Sequence, residues 1–170
     1  MLSIIKLPNP KLRERSQEIE RELLLSKEIQ KLIEEMIHTM YAADGVGLAA
    51  VQVGHNIRLC TIGKTALQPG SGQAIPEKHQ LPQADLVLIN PVWQKTGLRK
   101  VVDVEGCLSV PHKAGKVKRY KNIKVQALDR QGNPLVFCAS DMLARVIQHE
   151  VDHMDGILFI DKAKDVYDVE

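Results

Sequence analysis

The sequence is poor in cysteine, and the three it has, Cys60, Cys107 and Cys138, lie far apart with no C-x-x-C pair. So odd and sparse a set argues against a secreted disulfide framework and for a reducing compartment, and the chain is expected in the cytoplasm. Long apolar runs are missing too. Nothing approaches the ~20 consecutive residues that a membrane-spanning helix needs. The opening MLSIIKLPNP offers only a brief apolar stretch before Pro8 and Pro10, too little for a signal peptide. Neither sign of charge dominates. A net charge of +2, interspersed as in KLRERSQEIERE, gives no support to recognition of nucleic acid or of an anionic membrane. No internal repeat is visible. What is there is a chain of 170 residues with ordinary globular composition, enough for one domain over residues 1–170, expected as a monomer.

Hydrophobic periodicity supplies the elements. From Leu24 to Ala43, Leu24, Ile29, Leu32, Ile33, Met36, Ile37 and Met40 share one face at helical spacing. Asp44-Gly45 should stop that helix, with the glycine in the backbone position few residues tolerate. Small and apolar residues follow, Gly45 to Val51, ending at the amide of Gln52. Small residues let another backbone approach closely. Strands are expected over Ile57–Ile62, over Asp85–Ile89 closed by Asn90-Pro91, and over Lys100–Val104, Ile123–Leu128 and Leu135–Cys138. Asp129 to Asn133 makes a hairpin turn between the last two. Residues 64–83, rich in Gly, Pro, Gln and Lys, read as a mobile surface loop. Ser140 or Asp141 can cap a last helix with Met142, Leu143, Val146, Ile147 and Met154 on its buried face. Strands in a row with a helix at each end give an α+β order.

The chemistry lies on that last helix, in Gln148-His149-Glu150-Val151-Asp152-His153. Histidines four apart project from one side of a helix, so both imidazoles can reach one metal ion. Glu150 is displaced around the helix and can stand beside a metal-bound water instead. A divalent ion lowers the pKa of such a water from about 16 toward about 7, and a carboxylate can then take its proton. A hydrolytic site of this kind needs a third protein ligand. The metzincin pattern H-E-x-x-H-x-x-G-x-x-H is matched at Gly156 but has Phe159 where its third histidine belongs. The short stretch after His153 has Asp161, Asp165, Asp168 and Glu170 but no convincing helix to carry a thermolysin-like ligand. An upstream ligand fits better, and Glu105-Gly106-Cys107-Leu108-Ser109-Val110-Pro111 offers Cys107 in a turn ended by Pro111. Cys60 and Cys138, inside apolar strands, read as small buried hydrophobes.

Three segments together resemble the peptide deformylase family, in the family's order. They are Gly45 to Gln52 (GVGLAAVQ), Glu105 to Ser109 (EGCLS) and Gln148 to His153 (QHEVDH). The likeness extends to LPNPKLRERS, to LINP at Leu88–Pro91 and to LDRQGNPL. The resemblance implies an α+β fold of antiparallel β-strands wrapped around a C-terminal helix carrying the HExxH motif, with an N-terminal helix. It implies metal ligands Cys107, His149 and His153, with Glu150 as general base and then acid. Gln52 and the backbone N–H of Leu108 would stabilise the oxyanion. A methionine pocket would be lined by Val46, Gly47, Gly106 and Val146 with the stem of Arg145. The implied metal is Fe²⁺, with Zn²⁺, Ni²⁺ or Co²⁺ as substitutes. The implied substrates are nascent peptides that begin with N-formylmethionine. Asp152 is expected to pair with Arg119, and Glu105 to orient a nearby donor. Contact with the ribosome would be transient, because the stretch after Asp161 is short for the docking helix of some members.

Overall fold

The structure, a computed structural model, describes residues 1–67, 72–74 (backbone only) and 84–169. Helices α1 (Arg21–Leu24), α2 (Lys27–Ala42), α3 (Asp141–Met154) and α4 (Phe159–Lys162) combine with nine strands. These are β1 (Gly47–Ala49), β2 (Leu59–Ile62), β3 (Gly72–Ala74), β4 (Leu86–Lys95), β5 (Lys100–Cys107), β6 (Val110–Tyr120), β7 (Asn122–Leu128), β8 (Pro134–Ser140) and β9 (Lys164–Asp168). All ladders are antiparallel, in a six-stranded sheet ordered β1-β2-β4-β7-β8-β3 and a three-stranded sheet ordered β5-β6-β9. The α+β expectation holds, with α3 enclosed by strands.

The near-continuous apolar runs LCTI and LVLI are explained by cover on both faces. Alternate residues point to opposite sides of a strand. Cys60, Ile62, Leu86 and Leu88 pack on α3 through Leu143, Ile147 and Val151. Leu59, Val87 and Ile89 pack the other way, on Leu32, Ile33, Met36 and Met40 of α2. The six-stranded sheet therefore fixes α3 from behind and leaves its remaining side free to meet the smaller sheet.

Several boundaries differ from expectation. The left-handed residue closing α2 is Asp44 (φ 54°), not Gly45, whose N–H bonds Met40 O at 2.8 Å. Aspartate tolerates that conformation, and Gly45 serves a different need. A Cβ there would come within 2.9 Å of Leu108 Cδ1. Asn90-Pro91 does not end its strand. β4 runs through to Lys95 with a register shift between Ile89 and Val92, so the proline sits where the ladder is already interrupted. Pro111 likewise lies inside β6, whose polar VPHKAGKVKRY shows little strand patterning. In the stretch read as a loop, Lys64–Ala66 form a 3-10 turn and Gly72–Ala74 pair with β8. Residues 68–71 and 75–83 lie outside the described set. The Asp129–Asn133 turn forms as expected, with Asp129 N–H on Asn133 O at 2.9 Å. Among the described residues no helix is long and apolar enough to cross a membrane.

Candidate metal centre and its cavity

α3 puts His149 and His153 one turn apart, their ring centroids 4.9 Å from each other. The third group comes from the tight β5–β6 connection. There Cys107 pairs with Val110 after a register shift at Gly106, and the Ser109 N–H points at Cys107 Sγ from 3.4 Å. Cys107 Sγ lies 3.3 Å from His153 Nε2, and one donor atom each from Cys107, His149 and His153 all fall within 4.8 Å of one another. A thiol and two imidazoles at this spacing fit a borderline divalent cation with a coordination position left for substrate. Phe159, at the position of a metzincin's third histidine, stacks on the His149 ring with centroids 6.4 Å apart.

Behind the histidines lies a buried charge network. Glu105 Oε2 accepts from His149 Nδ1 at 3.0 Å and from Arg119 Nη2 at 2.8 Å. Its Oε1 accepts from Arg119 Nε at 2.9 Å and from Arg145 Nη1 at 2.6 Å. Arg119 also meets Asp152, which accepts from Lys162 Nζ at 2.7 Å. The expected Asp152–Arg119 pair and the orienting role of Glu105 are thus both visible in the geometry. Burial works against the charge of Glu105, but Arg119 and His149 outweigh it and hold the carboxyl well below its usual range. Such a partner fixes the ring and leaves Nε2 of His149 for the ion. For His149 itself, burial works against protonation, yet hydrogen bonds to Cys107 and Glu105 raise its pKa to about 10 in the metal-free chain. His153 moves the opposite way, well below the usual value, through burial and then the charge of His149.

Glu150 is buried, and its Oε2 has no hydrogen-bond partner among the described residues. Burial is the main reason its pKa rises to about 7, with Glu105 adding to it and His149 opposing. Gln52 is also buried. Its Oε1 accepts from Ala49 N–H at 2.9 Å, while Nε2 donates to Ser109 Oγ at 3.1 Å and faces Cys107 Sγ at 3.6 Å. The amide is thereby oriented, with nitrogen toward the thiol.

These groups open on a cavity of about 470 Å³. Every expected pocket residue lines it: Val46, Gly47, Gly106, Arg145 and Val146, along with Gln52, Leu108, Cys107, His149 and Glu150. His153 is buried behind them. The sequence reading missed Asp103, His112 and Val169, which the twisted small sheet brings to the rim. It also misplaced Met142, which lines the cavity and is 39% exposed instead of joining the core. Cys60 is fully buried as expected, whereas Cys138 is only half-buried on the outer side of β8. Ser109, fully buried and bonded to Gln52, was signalled only by its place in the EGCLS segment.

The family profile described as polypeptide deformylase matches residues 1–168. The chain belongs to the polypeptide deformylase family. It is 41% identical over 160 residues to peptide deformylase 1 of Clostridium acetobutylicum, covering 94% of this chain and 93% of the relative. Among solved structures it resembles the Thermotoga maritima peptide deformylase with a TM-score of 0.81 and 32% identity, over 97% and 99% of the two chains. The Met-Ala-Ser-bound peptide deformylase of Acinetobacter baumannii matches with a TM-score of 0.81 and 28% identity, over 95% and 98%. Family membership makes this chain a metal-dependent amide hydrolase of the deformylase type.

Proposed function

We propose that this chain removes the formyl group from the N-terminal formylmethionine of nascent polypeptides in the cytoplasm, as a monomer in which residues 1–170 form one catalytic domain. The carrying observation is the convergence of Cys107, His149 and His153 beside the buried, unpartnered carboxylate oxygen of Glu150. The three residues hold one divalent ion, natively Fe²⁺ and replaceable by Zn²⁺, Ni²⁺ or Co²⁺. When bound, the ion supplies Lewis acidity, which acidifies water and polarises a carbonyl.

The chain's own groups do the rest. Glu150 takes a proton from the attacking water as its oxygen bonds to the formyl carbon, and passes that proton to the departing amine nitrogen as the C–N bond breaks. Formate and a free N-terminus result. A pKa raised toward neutrality by burial suits a group that must accept and then release a proton. The Gln52 amide and the Leu108 backbone N–H donate to the formyl oxygen as charge develops there. Val46, Gly47, Gly106, Val146 and the Arg145 stem receive the methionine side chain. Consecutive residues Asp103 to Cys107 line the cavity, and β5 is an edge strand. Its free edge therefore borders the cavity and suits an extended peptide added as a further strand. Contact with the ribosome is transient. The test is formate release from formyl-Met-Ala-Ser by anaerobically purified enzyme, with unformylated peptides left intact. Cleavage at internal bonds without formate refutes the reading.

A further inference from the structure

Two arginines share the single carboxylate of Glu105, and they lead in different directions. Arg119 spans both carboxylate oxygens and continues to Asp152, nearly one turn further along α3. Arg145 gives Nη1 to Glu105 Oε1 at 2.6 Å and to Val117 O at 3.1 Å, and Nη2 to Val101 O at 2.9 Å. Val101 belongs to β5, the edge strand that borders the cavity, and Val117 to its neighbour β6. The Arg145 guanidinium thus ties α3 to two main-chain carbonyls of the small sheet and to the carboxylate behind His149. It is 8% exposed, and its stem lines the cavity.

We propose that Arg145 is a positioning residue for the peptide-binding strand: it braces β5 against α3, while Arg119 alone suffices to hold Glu105 on the metal ligand. This rests on the deformylase reading above. Among the described residues β5 pairs with β6 alone, at the edge of its sheet. Its exposed Val102 and Val104 bury nothing that would anchor it. Glu105 ties β5 to α3 near the metal ligands, and further along the strand the Arg145 bond to Val101 O does so, from a planar guanidinium that serves three acceptors where an ammonium cannot hold the same fork. Losing Arg145 still leaves Glu105 with both Arg119 bonds and with His149. The effect should fall on peptide binding, and it should grow with the length of peptide that lies along β5.

The test compares formyl-Met-Ala-Ser with formylmethionine amide, which is too short to run along the strand, in the wild-type holoenzyme and in Arg145→Met. Methionine keeps an unbranched apolar stem in the cavity. The expected result is a rise in KM for the tripeptide of about tenfold, one lost pair of charge-assisted bonds. The amide loses only its pocket contact with the Arg145 stem, so its KM should rise less, the ratio of tripeptide to amide KM should rise severalfold, and the metal content should hold. Arg145→Lys should show the same length-dependent loss, and it keeps the test alive if the methionine variant does not fold. Arg119→Lys should instead lower metal content. Equal KM changes for both substrates, or metal loss in the Arg145 variants matching that of Arg119→Lys, overturn the proposal. A wild-type enzyme that releases no formate refutes the deformylase reading instead, so the two failures are distinguishable.

Discussion

Gly47→Ala should disable the enzyme through a single methyl group. Gly47 lies in β1, directly across from α3. A Cβ built there comes 2.9 Å from Glu150 Cδ and 3.0 Å from Val146 Cγ1, and closer still to Glu150 Oε1. Ordinary contact begins at 3.4 Å, so the carboxylate would have to recede by half an ångström or more. The helix cannot move away as a body, because Leu143, Ile147 and Val151 are locked in the core behind it. The carboxyl group has to rotate or shift instead. A displacement of about 1 Å at a reacting group can cost on the order of a hundredfold in rate. We expect that loss in kcat, a stability cost of about 1–3 kcal/mol from overpacking, and unchanged metal content. Gly97→Ala is the control, since its Cβ would meet nothing within 4 Å. Steady-state formate release with metal analysis and thermal unfolding decides the matter. A Gly47→Ala enzyme within threefold of wild-type kcat would show that β1 does not hold Glu150 in place.

Glu150→Gln should keep the metal and lose turnover by about 10²–10⁴-fold, the usual worth of a positioned proton carrier. Retained turnover in a formate assay would assign the proton transfers elsewhere. Cys107→Ser should lower metal content after dialysis against a chelator, and an unchanged content would remove the thiol from the ligand set. Ser109→Ala frees the Gln52 amide and should cost about 10–100-fold in activity, in line with other outer-sphere partners. Normal kinetics would mean the amide is oriented by Ala49 and Cys107 without Ser109. Metal uptake should release protons. His149 is raised to about 10 in the metal-free chain but must bind as neutral imidazole. Affinity therefore falls as pH falls, over the whole range below that value. Calorimetry in buffers of different ionisation enthalpy counts the protons, and an affinity constant from pH 6 to pH 8 would contradict the shift.

How much was readable in the sequence depended on whether one segment carried its own signal. The ligand pair and Glu150 sit on a single helix whose period orders them. The GVGLAAVQ and EGCLS segments were legible through their resemblance to the family, since their residue types alone suit tight packing equally well. The Asp129–Asn133 turn is equally local. Strand β6 was missed because its alternation is masked by lysines on the solvent side, and its stability comes from β5 and β9. Asn90-Pro91 read as a stop because turn chemistry is local, whereas β2 and β7 hold the two halves of β4 across the bulge. Met142 carried a core-like residue type at a core-like period, and only the arrival of the small sheet beside α3 makes it a cavity wall. The three acceptors of Arg145 come from three distant points in the chain, and no local pattern encodes their meeting.

The hexapeptide Gln148 to His153 of α3 has almost no vacant position. Gln148 clasps both main-chain groups of Tyr120, at 3.0 and 2.9 Å. His149 and His153 face the thiol, Glu150 faces the cavity, Val151 fills the core and Asp152 meets Arg119. Six consecutive residues thus answer to five separate obligations. Saturation mutagenesis should find this hexapeptide nearly intolerant of exchange, while the solvent side of α2, with the exposed Glu28, Lys31 and His38, accepts many substitutions. Resistance to drift would then be set by how many neighbours so short a stretch of helix must serve at once, and a randomised library aimed at improved variants would do well to leave it untouched.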